Sequence, residues 1–80
     1  MSANNNLQNI LLFHRKRAKL SRKDLAELAG VGKTVIYDLE KGKQTVKWSS
    51  ITPILKALNI KIEFNSPLIQ EYEKSLNKDT

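Results

Sequence analysis

Residues 21–42 read SRKDLAELAGVGKTVIYDLEKG, and this stretch decides the fold. Ser21 stands three residues before Asp24, the spacing of a capping box: the hydroxyl serves the third helical N–H and the carboxylate reaches back to the cap. A helix is expected to follow, with Leu25 and Leu28 as its apolar face and Ala26 and Ala29 small enough to let another helix approach closely. Gly30 ends it, because the position after a helix often needs positive φ, which glycine adopts without a Cβ clash. Val31 is expected to point inward across the turn. Gly32 then occupies the N-cap of another helix over residues 33–41, which Gly42 closes. Val35, Ile36 and Leu39 make its buried face and leave Lys33, Thr34, Tyr37 and Asp38 outward. A lysine in the first turn opposes the helix dipole by a few tenths of a kcal/mol, a placement easier to explain where an anion or a base acceptor waits.

Two short helical patterns separated by about four residues, the second opened by a basic and hydroxyl-bearing segment, have the form of a helix-turn-helix. Upstream, Leu7, Ile10, Leu11, His14 and Ala18 recur at three- and four-residue steps and predict a helix over residues 7–18, with Asn6 as its N-cap. Residues 1–6 are small, polar and aperiodic, and read as a mobile arm. His14, the sole histidine, lies at the edge of the stripe with no partner cluster, which favours a structural imidazole over a catalytic or metal-binding one.

Downstream of a polar loop over residues 43–47, Ile51, Ile54, Leu55 and Leu58 form the stripe of a fourth helix. Pro53 would remove a hydrogen bond deep inside that helix at a cost of about 3 kcal/mol. A late start capped by Ser49 or Ser50, or a bend, would accommodate it. Trp48, the only tryptophan, reads as a core or interface anchor. The segment Ile60, Lys61, Ile62, Glu63, Phe64 alternates apolar and charged residues, the period of a half-buried strand. A lone strand needs a partner, and the chain shows no second one, so a copy of the same strand across a two-fold axis is the economical solution. The alternative is irregular chain packed on its own helices. After Pro67, Leu68, Ile69, Tyr72 and Leu76 fall at helical spacing, either as a short docking helix or as a disordered tail.

Eighty residues make one small domain, of a size that buries only roughly 60–65% of its unfolded surface. There is no cysteine, hence no disulfide framework or thiolate metal site. No apolar run approaches the ~18 residues of a membrane span, and no signal peptide is visible, which fits a cytoplasmic protein. The formal net charge of +6 is placed unevenly. Residues 1–48 hold ten Lys/Arg against four Asp/Glu, while residues 49–80 hold four of each. The excess therefore lies with the helix-turn-helix pattern, where it favours a polyanion. With one histidine, no glycine-rich phosphate loop and no convergent carboxylate pair, the sequence points away from catalysis and implies no cofactor.

Residues 10–58 resemble the λ-repressor/Cro-like (Xre-type) DNA-binding domains. The features that carry the resemblance are Arg15 near the end of the first helix, the segment LSRKDLAELAGV, and the IYDLEKG ending of the third helix. The chain is also similar to HipB-like antitoxins, in which four helices are followed by a strand of the kind seen in residues 58–64. The resemblance implies an all-α fold: a four-helix helix-turn-helix domain over residues 7–58, then a strand over residues 59–65 that pairs between subunits, then a tail over residues 66–80. It implies a homodimer on a palindromic double-stranded DNA operator in the bacterial nucleoid. The implied role is a repressor that autoregulates its operon and serves as antitoxin to a HipA-like serine/threonine kinase toxin. Carried over by position, Lys33, Thr34 and Tyr37 would read bases. Arg22, Lys23, Lys41, Lys43 and Gln44 would contact the DNA backbone. Arg15 and Glu40 would form a structural ion pair, and Trp48, Ile60, Ile62 and Phe64 the dimer interface. Two departures stand out: Arg22 replaces the family's usual glutamine, and Pro53 interrupts the fourth helix. A stand-alone regulator without a toxin, or a protein-interaction adaptor on the same fold, are the alternatives.

Overall fold

The structure, a computed structural model, describes residues 6–78. Five helices follow one another: α1 Leu7–Arg17, α2 Arg22–Ala29, α3 Lys33–Glu40, α4 Trp48–Ala57 and α5 Ile69–Lys78. Most of the arm expected over residues 1–6 lies outside the described residues; Asn6 itself caps α1, its side chain accepting from the Asn9 amide at 3.0 Å. The capping box of α2 is complete, with Ser21 Oγ accepting from the Asp24 amide and the Asp24 carboxylate accepting from the Ser21 amide. Gly30 closes α2 at φ +72°, a left-handed conformation that costs other L-residues about 1–2 kcal/mol.

Leu11, Leu25, Ala26, Ile36, Leu39, Ile51, Ile54 and Leu55 form the core, drawn from α1 to α4. Val31, Val35, Leu58 and Ile60 pack against it as partly buried neighbours. Helix α2 packs on both α3 and α4, and α1 packs on α3. Leu11, Leu25, Ile36 and Ile54 are almost wholly enclosed; each contributes roughly 1.5–3 kcal/mol relative to exposure. His14 Nδ1 donates to the Ile10 carbonyl one turn back, at 2.7 Å.

Three expectations are corrected. Leu28 does not join the apolar face of α2 but is 64% exposed. At roughly 100° per residue it is turned about 200° from Ala26, and the helix rests on its Leu25–Ala26 edge. Ala18 is exposed, since it caps α1 beyond the last turn. Helix α4 has no late start: Lys47 is its N-cap, and its carbonyl accepts from the Ser50 and Ile51 amides at 2.9 and 3.2 Å. Pro53 thus lies inside the helix, which forgoes the bond that a donor there would make to the Ser49 carbonyl. Burial of Ile51, Ile54 and Leu55 around the proline holds the helix together.

The strand expected over residues 59–65 is not seen in the single chain. Residues 60–66 have no regular secondary structure, and no strand occurs among the described residues. A β-ladder needs two strands, and the single chain offers none to pair with. Ile60 folds back on the core, while Ile62 and Phe64 are 43% and 78% exposed. Beyond them the tail forms a helix, α5, with Tyr72 and Leu76 exposed along it and Leu68 exposed just before it.

Candidate nucleic-acid interface

The turn between α2 and α3 sets two helix N-termini close to one surface. Arg22, the first residue of α2, lines a shallow depression together with Lys33, Thr34 and Tyr37 of α3. Gly32 caps α3 with no side-chain hydrogen bond, and its first turn holds no acid. The partial positive charge of that terminus is therefore unopposed, and Lys33 adds to it. Lys33 and Thr34 are exposed.

Behind this surface lies a charged network centred on Glu40, whose side chain is 3% exposed. Arg15 grips it with two bonds, Nε to Oε2 at 2.6 Å and Nη2 to Oε1 at 3.0 Å, and donates through Nη1 to the Leu20 carbonyl at 2.9 Å. Arg22 Nε also donates to Glu40 Oε1, at 3.0 Å. Burial alone would push the Glu40 carboxyl up, but hydrogen bonds from Arg15 and Arg22, with their charges, hold it below the usual carboxylate range. One carboxylate thus ties the end of α3 to α1 and to the start of α2.

The same arginine reaches the outer face. The Arg22 guanidinium lies 5.3 Å from the centroid of the Tyr37 ring, and Lys41 Nζ lies 5.4 Å from it. Two cations thus lie against one ring, each within cation–π range. Lys43 forms a partly exposed pair with Asp38 at 3.5 Å. With Gln44 it lines a second depression, between the start of α1 and the loop after α3. Lys23 is exposed on α2 and lines neither depression. Trp48, Ile62 and Phe64 are exposed away from both, and Ile60 is half-buried.

The Tyr37–Lys41 contact is a four-residue helical step and was readable from the spacing. The Arg22–Glu40 bond spans 18 residues of sequence, and no local pattern announces it. Among the described residues no group of three or more His, Cys, Asp or Glu side chains could hold a metal ion. None of the helices is long and apolar enough to cross a membrane.

Two short helices meeting at a glycine turn, with a cationic and hydroxyl-bearing outer surface, define a helix-turn-helix DNA-binding domain. A family profile described as "Helix-turn-helix" matches residues 14–65, and the chain belongs to this family of Xre-type transcriptional regulators. It is 38% identical over 53 residues to "Uncharacterized HTH-type transcriptional regulator y4mF" of Sinorhizobium fredii, a match covering 66% of this chain and 70% of that protein. Among solved structures its fold is similar to HipB in a HipB–O4 20mer complex, with a TM-score of 0.69, 18% identity, and 76% and 86% of the two chains covered. A HipA–HipB–O2–O3 complex and a structure described as "MDT Protein" each match at a TM-score of 0.70 with the same identity and coverage.

Proposed function

We propose that the protein is a homodimeric repressor that reads a palindromic operator and acts as antitoxin to a HipA-like serine/threonine kinase, autoregulating its own operon in the bacterial cytoplasm. The observation that carries the DNA-reading part is the depression lined by Arg22, Lys33, Thr34 and Tyr37 at the start of α3. Lys33 donates to guanine O6 or N7, and Thr34 hydrogen-bonds a base edge or touches a thymine methyl. Tyr37 reads from the next turn. Lys23, Lys41, Lys43 and Gln44 hold phosphates on either side. The excess charge over residues 1–48 supports this orientation, since counterion release favours cations wherever phosphates are met.

Dimerisation rests on residues 60–64 and Trp48. In the single chain Ile62, Phe64 and Trp48 leave large apolar surfaces in water, and pairing the segment with its own copy would cover them and supply the missing ladder. The likeness to HipB bound to 20-mer DNA and to HipA supports the antitoxin reading at the level of fold. A second reading, a stand-alone regulator without a toxin, fits the relative in Sinorhizobium fredii, an HTH-type transcriptional regulator.

Operator footprinting with alanine variants tests the DNA reading. Half-sites about one helical turn, ~34 Å, apart are expected. Lys33→Ala and Thr34→Ala should each relax preference at defined positions by about 1–3 kcal/mol. Unaltered base preferences in both variants would remove α3 as the reader. Purification from the native host separates the two roles, because a co-purifying kinase is expected of an antitoxin and not of a lone regulator.

A further inference from the structure

We infer that Arg22 is a base-reading, specificity-determining residue that recognises a guanine, and not the phosphate contact that its place at the start of α2 suggests. This rests on the DNA reading proposed above. Three features of Arg22 argue for it. Its Nε is committed to a buried carboxylate, Glu40 Oε1 at 3.0 Å. Its guanidinium lies over the Tyr37 ring at 5.3 Å. It also lines the same depression as Lys33 and Thr34 at the start of the recognition helix.

A guanidinium presents donors along two edges. The bond to Glu40 uses Nε, so the edge available for a planar acceptor pair is Nη1 with Nη2. That fork matches guanine O6 and N7, the commonest specific contact in the major groove. A side chain pinned at one nitrogen and over an aromatic face has already lost most of its rotamer freedom. Such preorganisation adds little to a phosphate contact, which tolerates many approach angles. For a bidentate base contact it is decisive, because both bonds must be satisfied in one plane. Charge points the same way. Glu40 lies against both Arg15 and Arg22 and offsets part of the Arg22 charge, whereas the fixed fork is what Arg22 offers that a lysine cannot. The exposed Lys23 beside it in sequence has no ion pair among the described residues and is better suited to a phosphate.

Selection from a randomised duplex library by the wild type, Arg22→Lys and Arg22→Ala tests this. The wild-type motif is expected to contain one guanine per half-site whose preference falls roughly ten- to hundred-fold in Arg22→Lys, with other positions unchanged. Lysine keeps the charge but not the planar fork, so a phosphate contact would survive that substitution. A binding measurement on unmodified protein guards against misfolded variants: replacing that guanine with 7-deazaguanine should weaken wild-type binding on the order of tenfold and leave Arg22→Ala unaffected. An Arg22→Lys motif identical to wild type, with Arg22→Ala binding all duplexes more weakly and its log–log salt slope reduced by about 0.9, overturns the guanine assignment and restores a phosphate contact. A wild type that enriches no motif overturns both this inference and the DNA reading beneath it.

Discussion

Truncating Arg15 would remove two hydrogen bonds from Glu40 and one from the Leu20 carbonyl. The carboxylate, 3% exposed, would then face Arg22 alone. Breaking one partner of a buried pair costs about 3–5 kcal/mol; with Arg22 still in place, Arg15→Ala should fall near the lower end. Arg17→Ala loses only a surface contact over the Phe13 ring at 5.4 Å, worth roughly 0.5–1 kcal/mol. Urea midpoints of the two variants should therefore differ clearly, and equal midpoints would contradict a structural role for Arg15. The same network sets an acid limb. Glu40 has a lower pKa folded than unfolded, so between those two values the unfolded chain binds more protons, and stability rises with pH. Its contribution is complete above the ordinary carboxylate value and is lost as pH falls through the folded value. Glu40→Gln should flatten that limb in melts recorded across the acid range.

At the scale of elements, Gly42 shows how one position fixes the exit from α3. Its φ is +84°, and a Cβ there would meet the side-chain amide of Gln8 on α1. The amide is the flexible end of Gln8 and can withdraw, so the backbone term dominates, about 1–2 kcal/mol for a residue with a Cβ. Gly42→Ala should lower stability by that amount in thermal unfolding, and Gly42→Asn by less, since asparagine tolerates the left-handed region. Caps and turns of this kind were legible in the sequence, because Asn6, Ser21 with Asp24, and Gly30 act on residues within one turn of themselves. Leu28 was not, since periodicity names an apolar arc while the neighbours α3 and α4 choose which part of it they cover. The start of α4 escaped for a related reason: local chemistry disfavours Pro53 in a helix, and three core residues on that helix outweigh it. In the candidate site, the outward face of α3 could be read from period alone, whereas the Arg22–Glu40 bond joins distant parts of the chain.

The whole molecule divides unequally. Every core residue comes from α1 to α4, and α5 contributes none. Its Tyr72 and Leu76, with Leu68 just before it, keep half or more of their surface, so α5 adds little to the fold of the rest. Deleting residues 67–80 should leave the melting transition and operator affinity nearly unchanged, as measured by circular dichroism and by DNA titration. Capture of a HipA-like kinase should weaken in the same truncation, if α5 is the docking element. A preformed helix with exposed apolar residues at helical spacing can lay that face into a groove on a partner. Loss of operator binding on deletion would instead place the tail within the DNA-reading unit.

The irregular stretch over residues 61–66 links α5 to the four-helix core. Six residues reach at most about 20 Å, so anything held by α5 stays within that radius of the operator-bound domain. A short connection between two binding elements raises the local concentration of one ligand at its neighbour's site, to the millimolar range for short flexible linkers. Avidity between DNA and partner would then arise from chain length alone, without a conformational signal passing through the core. Inserting Gly-Ser repeats after Asn65, beyond the segment proposed to dimerise, should erode joint binding gradually while leaving each separate affinity intact.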